Sequence, residues 1–229
     1  MIEGILAVIP ARKGSKQLPR KNLAPLAGRP LIAWTIAAAQ DARAVGRDDH
    51  SPDSHEIADV ALQLGAEVPF IRPTELAGDA AASLAVLIHA VGAADPRSDA
   101  DWVALFQPTS PLRTAADIDA AAALAGEHVD AVISVGPCAP HPWLAKCLGP
   151  DGKLTDFYEH PPARRRQEMP LAWALNGAIY LVRRRQLDAG GGFYGGRTVG
   201  YPMPAGRSLD IDTAEDLARA EWLLDARPA

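Results

Sequence analysis

Short, continuously apolar runs alternate along this chain with amphipathic, alanine-rich stretches, so strands and helices are expected in turn. Residues 5–9, ILAVI, are apolar at every position, the pattern of a strand covered on both faces. Gly28 and Pro30 punctuate the chain further on, and Pro30 suits the first turn of a helix carrying Leu31, Trp34, Ile36 and Ala38. A second helix is expected over 56–64, ended by Gly65, then a short strand over 68–71. Leu84, Leu87, Ile88 and Val91 fall at helical spacing within 83–91. Further strands are read at 102–106, 131–135, 178–182 and 198–203, with an alanine-rich helix over 115–125. The last helix starts near Thr213, whose hydroxyl caps it with Asp216 in capping-box position, and Leu217, Ala220 and Leu224 mark its buried side. This alternation points to an α/β fold with a mostly parallel, doubly wound, Rossmann-like sheet. Residues 137–170 break the rhythm: they are rich in Pro, His and Arg without a period, and read as an insertion projecting from one domain spanning 1–229.

Composition narrows the classes. The chain has 229 residues, enough for one large domain with a real core, and a net charge of -5. An acid excess without a long basic face argues against general nucleic-acid or membrane-surface binding. Cys138 and Cys147 are the only cysteines, and no secretory pattern precedes them, so both read as free thiols in a reducing compartment. No run reaches the ~18 apolar residues of a membrane span. A soluble, cytoplasmic protein is expected.

Against that acidic background, Arg12, Lys13, Lys16, Arg20 and Lys21 crowd into the loop directly after the first strand. In open α/β sheets ligands bind at the carboxyl ends of strands. Gly14 lets the backbone approach a ligand, Arg12 and Lys21 suit phosphates, and Ser15 offers a hydroxyl. The alternative is a solvated loop. Neither G-x-x-x-x-G-K-[ST] nor G-x-G-x-x-G follows the strand, which excludes a P-loop ATPase and an ordinary dinucleotide-binding enzyme. Asp210 and Asp212 flank Ile211 in an extended segment, so both carboxylates face one site and suit Mg²⁺. Acids at a helix N-terminus favoured by its dipole are the rival explanation.

The stretch AVIPARKGSKQLPRKNL resembles the loop of the acylneuraminate cytidylyltransferases, which activate sialic acids and related nine-carbon sugars. IRPTELAGD, LFQPTSPLR, NGAIY and SLDIDTAEDL match that family in order, so the resemblance spans nearly the whole chain. It implies a nucleotidyltransferase fold and a cytidylyltransferase domain in which CTP and a nonulosonic acid react with Mg²⁺. CMP passes to the anomeric hydroxyl and pyrophosphate leaves. By resemblance Arg12 and Lys21 are the triphosphate cations, with Ser15 beside them, and Asn22, Arg72 and Ser83 surround the cytosine and ribose. Asp212 binds the metal and helps deprotonate the sugar, with Asp210 as supporting ligand. Gln107 falls on the sugar side, and Arg113 is expected only to brace the turn there. Arg166 matches a cation for the sugar carboxylate, although a triple-arginine run is also an ordinary solvated surface. Asn176 binds a sugar substituent or makes the turn. In this family the insertion pairs with a second subunit, so a homodimer is expected.

Three departures stand out. Gln17 replaces a usual glycine, and Ala174 stands where sialic-acid members often carry arginine, which leaves room for legionaminate- or pseudaminate-type sugars. RDDHSPDSHEIADVA places Asp48, Asp49 and His50 where an apolar strand is usual. Buried unpaired carboxylates are expensive, so this segment is expected to be an edge or a loop, with His50 and His55 part of a polar loop and not a metal site. The changed segment motivates one rival reading, a catalytically silent nucleotide-binding paralogue. The other is a sugar nucleotidyl- or glycosyl-transferase that uses Asp-x-Asp for its metal.

Overall fold

A computed structural model of the chain describes residues 2–78, 82–158 and 165–226. In order, the elements are β1 (Ile5–Ala11), the short pair β2 (Pro25–Leu26) and β3 (Arg29–Pro30), α1 (Leu31–Gln40), β4 (Val45–Pro52) and α2 (His55–Gln63). Then come α3 (Ser83–Ala94), β5 (Trp102–Leu105), α4 (Ala115–Ala123), β6 (Ala131–Pro137) and the hairpin β7 (Lys146–Leu148) and β8 (Leu154–Asp156). The chain closes with β9 (Trp173–Arg183), α5 (Arg184–Asp188), β10 (Thr198–Pro202) and α6 (Ala214–Asp225).

Six strands form one sheet in the order β10-β6-β9-β5-β1-β4. All pairings are parallel except those of β9, which runs antiparallel between β5 and β6. The mostly parallel sheet expected from the alternation is therefore present, with one reversed strand inside it. Strand β1 explains the layering: Ile5, Ala7 and Ile9 pack with Ile32 and Ile36 of α1 and Ile118 of α4, while Leu6 and Val8 pack with Leu87 and Val91 of α3. Successive side chains point to opposite faces, so a strand apolar at every position needs helices on both. Among the described residues no helix is long and apolar enough to cross a membrane.

Two expectations need correction. Residues 68–71 form no strand: Pro69 cannot donate to a ladder, and the segment touches the sheet edge through Glu67 O, which accepts from His50 N at 2.8 Å, and Arg72 N, which donates to Pro52 O at 2.8 Å. Residues 45–52 do form a strand, the sheet edge, but its last four residues are buried, His50 and Ser51 completely. The charges are met unequally, Asp49 by a cation and Asp48 Oδ2 only by a neighbouring imidazole with no hydrogen bond between them. Asp49 accepts from Arg47 Nε at 2.9 Å, and Asp48 Oδ2 lies 3.9 Å from His50 Nε2. Burial pushes Asp48 up to about 6 and His50 down to about 3. His50 thus belongs to a strand and not to a polar loop.

The hairpin of β7 and β8 stands where the projecting insertion was expected, with every residue of both strands exposed. Leu148, Leu154, Phe157 and Leu171 are more than half exposed there. Arg166 opens a short 3-10 turn, Arg166–Glu168; its side chain, and all of Arg164, lie outside the described residues.

Candidate active site

The loop leaving β1 is built so that its cations divide. Arg20 takes a left-handed conformation (φ 55°) and its guanidinium pairs with Glu56 on α2; Lys13 Nζ approaches the same carboxylate at 3.7 Å. The Lys13 amide donates to Asp53 just beyond β4 (2.7 Å), and Asn22, 6% exposed, donates to the Arg12 carbonyl (2.8 Å). Arg12 and Lys21, with Gly14 and Ser15, line a cleft of about 350 Å³ on the other side. Its remaining wall includes Asn22, Arg72, Leu76, Ser83 and Val86, then Gln107, Thr109, Asp210 and Asp212. The cleft lies at the carboxyl ends of β1 and β5, and it gathers residues separated by as much as the whole fold.

Asp210 and Asp212 are held there by the residue between them. Ile211 is fully buried with Leu26, Leu31 and Ala220, and its amide donates to Thr109 O at 2.8 Å. Its two neighbours consequently face away from the core. The Asp212 amide donates to Asp216 (3.1 Å), and Thr213 and Asp216 complete the capping box of α6. Lys21 Nζ reaches Asp212 Oδ1 at 2.9 Å, which joins the basic loop to the acidic segment. Asp210 opens onto the cleft but has protein behind it. Desolvation first, then the nearby Asp212 charge, hold its carboxyl above the usual range, while Thr109 and Lys21 oppose the shift. No group of three or more His, Cys, Asp or Glu capable of holding a metal occurs among the described residues. The donor set is this pair of acids.

Arg72, 5% exposed, donates from Nη2 to Ala11 O at 3.2 Å, and its Nε has no partner in the structure. Burial lowers its pKa; Asp53 opposes this and Arg12 adds to it.

A second cavity of about 300 Å³ adjoins the first and shares two of its walls, Gln107 and Asp210. Gly136, Pro137, Ala174, Leu175, Asn176, Gly177, Tyr180 and Ser208 complete it. No cation lines it among the described residues. Burial, followed by the Tyr194 and Asp210 charges, keeps the Tyr180 hydroxyl above its ordinary pKa and so protonated. Asn176 borders this cavity but is 6% exposed, and its amide is bound to protein groups. Behind it, Arg113 is buried over the Phe106 ring (5.0 Å) and donates to Ala178 O (2.6 Å), with burial pushing its pKa down to about 9. It ties the turn after β5 to β9.

Of the residues singled out in the sequence, Arg12, Ser15, Lys21, Asn22, Arg72, Ser83, Gln107, Asp210 and Asp212 meet at the first cleft. Asn176 meets Gln107 and Asp210 at the second. Sequence reasoning passed over Thr109, Tyr180 and Ser208. All three lie inside segments that carry the resemblance, Thr109 in LFQPTSPLR, Tyr180 at the end of NGAIY and Ser208 at the start of SLDIDTAEDL, so a signal existed for each.

The α/β fold thus brings cations and paired acids together in one cleft beside a second cavity. A family model described as Cytidylyltransferase matches residues 6–139, more than half the chain. The chain belongs to that family. It is 36% identical over 225 residues to the CMP-N,N'-diacetyllegionaminic acid synthase of Legionella pneumophila, covering 96% of each protein. It is 35% identical over 214 residues to the N-acylneuraminate cytidylyltransferase of Streptococcus agalactiae serotype III, covering 92% of this chain and 51% of that protein. A CMP:2-keto-3-deoxy-manno-octonic acid synthetase solved in complex with CTP superposes with a TM-score of 0.71 at 18% identity, over 97% of this chain and 99% of that one. At that identity the likeness speaks for the fold alone.

Proposed function

We propose that the protein transfers CMP from CTP to the anomeric hydroxyl of a nonulosonic acid of the neuraminate or legionaminate kind, releasing pyrophosphate. The observation that carries this reading is the pair of adjoining cavities with Gln107 and Asp210 at their junction. The triphosphate belongs in the first cavity, against Arg12, Ser15 and Lys21, with the nucleoside beside Asn22, Arg72 and Ser83. The sugar belongs in the second, beside Gln107 and Tyr180, where the acceptor oxygen and the α-phosphorus meet. A bond forms between them, the bond from the α-phosphorus to the bridging oxygen breaks, and the electron pair leaves with pyrophosphate. Positioning and charge neutralisation supply most of the acceleration in such a transfer.

The hydroxyl proton needs an acceptor. The family resemblance favours Asp212, but Asp210 lines both cavities, is the desolvated one, and is not engaged by Lys21 in a direct bond. Asp210 is therefore assigned the proton, and Asp212 with Lys21 the phosphate side. The acids fit Mg²⁺, which is commonly held by one or two carboxylates with substrate phosphates and water completing its shell. Bound there, it would neutralise phosphate charge as a Lewis acid. The exposed Leu148, Leu154 and Phe157 on and beside the β7–β8 hairpin suit a second copy of the chain, an exposed apolar patch being typical of an interface. Arg166 from the projecting insertion would then supply a cation to the sugar cavity, which has none among the described residues. A silent nucleotide-binding role, motivated by the changed 48–53 segment, is not favoured, since residues 45–52 still pair with β1 as the edge strand and cations, acids and a second cavity converge.

Pyrophosphate release with CTP, UTP, GTP and ATP, each against N-acetylneuraminate, legionaminate and pseudaminate with and without Mg²⁺, tests the reading. Metal-dependent release with CTP and one acid is expected. Another preferred nucleotide, or CTP binding without turnover, would overturn it. Light scattering on the eluting protein tests the dimer.

A further inference from the structure

Asn176 is placed to do something other than hold the sugar. Strand β9 is irregular here: Tyr180 pairs with Ile133 of β6, but the next paired residues are Leu175 and Val135, so β9 carries extra residues between the two points. Asn176 and Gly177 lie in this bulge, which makes close contacts on two sides. Gly177 has φ 73°, and a Cβ there would sit 2.5 Å from Gln107 Oε1. A Cβ at Gly136, on the neighbouring strand, would sit 2.8 Å from the Ser208 Cβ. At Gly136 a side chain larger than hydrogen would have to push Ser208 away.

The Asn176 amide spans this contact and has no capacity left over. Its Oδ1 accepts from Ser134 Oγ (2.6 Å) and from the Ala178 amide (3.2 Å). Its Nδ2 donates to Ser208 Oγ (3.0 Å) and to Met203 Sδ (3.3 Å). An amide offers two acceptor sites and two donors, and all four are engaged. Ser134 is fully buried and accepts from the Ile179 amide at 2.7 Å; Ser208 Oγ donates to Pro204 O at 3.0 Å. Ser208 stands two residues before Asp210.

We propose that Asn176, with Ser134 and Ser208, is a clasp that positions the 208–212 segment, and hence Asp210 and Asp212, against Gln107. Asn176 is a positioning residue and not a sugar ligand. A buried amide with every group satisfied would have to break protein bonds to reach a ligand, and leaving a buried partner unpaired is what makes such exchanges unfavourable. Satisfied networks of this kind rigidify the segments that they join. The inference rests on the reading of the two acids as the metal and proton groups.

Ser134 separates the two roles, because it lines neither cavity and can touch no ligand. Asn176→Ala and Ser134→Ala are compared with wild type in steady-state kinetics and in Mn²⁺ binding with CTP present and acceptor absent, followed by electron paramagnetic resonance. Thermal melting checks that each variant is folded. The clasp predicts a kcat loss of about tenfold to a hundredfold in Asn176→Ala, a smaller loss in Ser134→Ala, weaker Mn²⁺ binding in both, and acceptor KM within about twofold of wild type. A raised acceptor KM in Asn176→Ala with kcat and Mn²⁺ binding unchanged would overturn it, as would a Ser134→Ala variant indistinguishable from wild type in both measurements. The Mn²⁺ arm reads the clasp even if no acceptor supports turnover, so the two proposals fail separately.

Discussion

Strands β1 and β4 lie side by side and share register from Ile5 and Val45 to Ala11 and Pro52, yet their side chains have little in common. Strand β1 is buried apolar surface on both faces. Strand β4 reads VGRDDHSP, with an ion pair on one face and an unpartnered imidazole on the other. Parallel pairing asks only for backbone groups, so one ladder accepts both. The side chains decide what surrounds the ladder: β1 must be central, whereas β4 is tolerable only at the edge, where Arg47 keeps partial contact with water. Both strands nevertheless deliver their carboxyl ends to the same site, β1 through Arg12 and β4 through Asp53, which accepts from the Lys13 amide.

Exchanging the two chemistries should have the largest effect. Ile9→His puts an unpaired polar ring in the strand buried on both sides, and a loss of about 3–5 kcal/mol of stability is expected in urea unfolding. Its register partner tells the opposite story, since His50 already sits buried with neither ring nitrogen bonded. Arg47→Ala comes next. It leaves Asp49, 2% exposed, without its cation, and should remove roughly 2–3 kcal/mol by the same measurement. Arg72→Leu tests whether the β4 edge serves the site, because Arg72 is anchored to Pro52 and Ala11 while lining the cleft. CTP affinity measured by calorimetry should fall about tenfold with the fold retained.

The smallest effect at neutral pH belongs to His50→Leu, expected within about 1 kcal/mol of wild type there. Its signature is in the pH dependence. His50 has a folded pKa near 3 against 6.5 in the unfolded chain, so the unfolded state binds the extra proton and wild type loses stability as pH falls through that window. Asp48 runs the other way, its folded pKa near 6 against 3.8, so its burial is least unfavourable at low pH. The variant should therefore gain on wild type steadily below pH 6.5, by up to about 1.4 kcal/mol per pH unit. A constant difference from pH 7 to pH 4 would mean that His50 is solvated.

Much of this protein was legible in its residues. The alternation of elements, the cap at Thr213 and the stop at Gly65 rest on neighbours within a turn or two, and such signals survive folding unchanged. Arg12, Ser15, Lys21, Asp210 and Asp212 were legible for a related reason, a cation cluster in an acidic chain and an Asp-x-Asp segment carrying their chemistry in short spacing, whereas Asn22, Arg72, Ser83 and Gln107 were placed only by the family resemblance. Residues 68–71 misled because apolar content resembles a strand until Pro69 is weighed against the ladder that it cannot join. The β4 strand was hidden because what secures it is distant in sequence: the Arg47 side chain donates to Ala94 O at the end of α3, and the His50 backbone amide donates to Glu67 O.

What no local pattern contains is which residues meet. Asn22 and Arg12 are ten positions apart and their contact could be guessed; Lys21 and Asp212 are 191 apart and become neighbours only when α6 docks on the β2 corner through Ile211. The reversal of β9 inside a parallel sheet, and the bulge that brings Asn176 to Ser208, likewise arise from strand pairing across the whole chain. Periodicity and residue type are set by covalent order and are readable in place. Contact between remote segments is set by how their buried faces pack together, and it exists only once the chain has closed on itself.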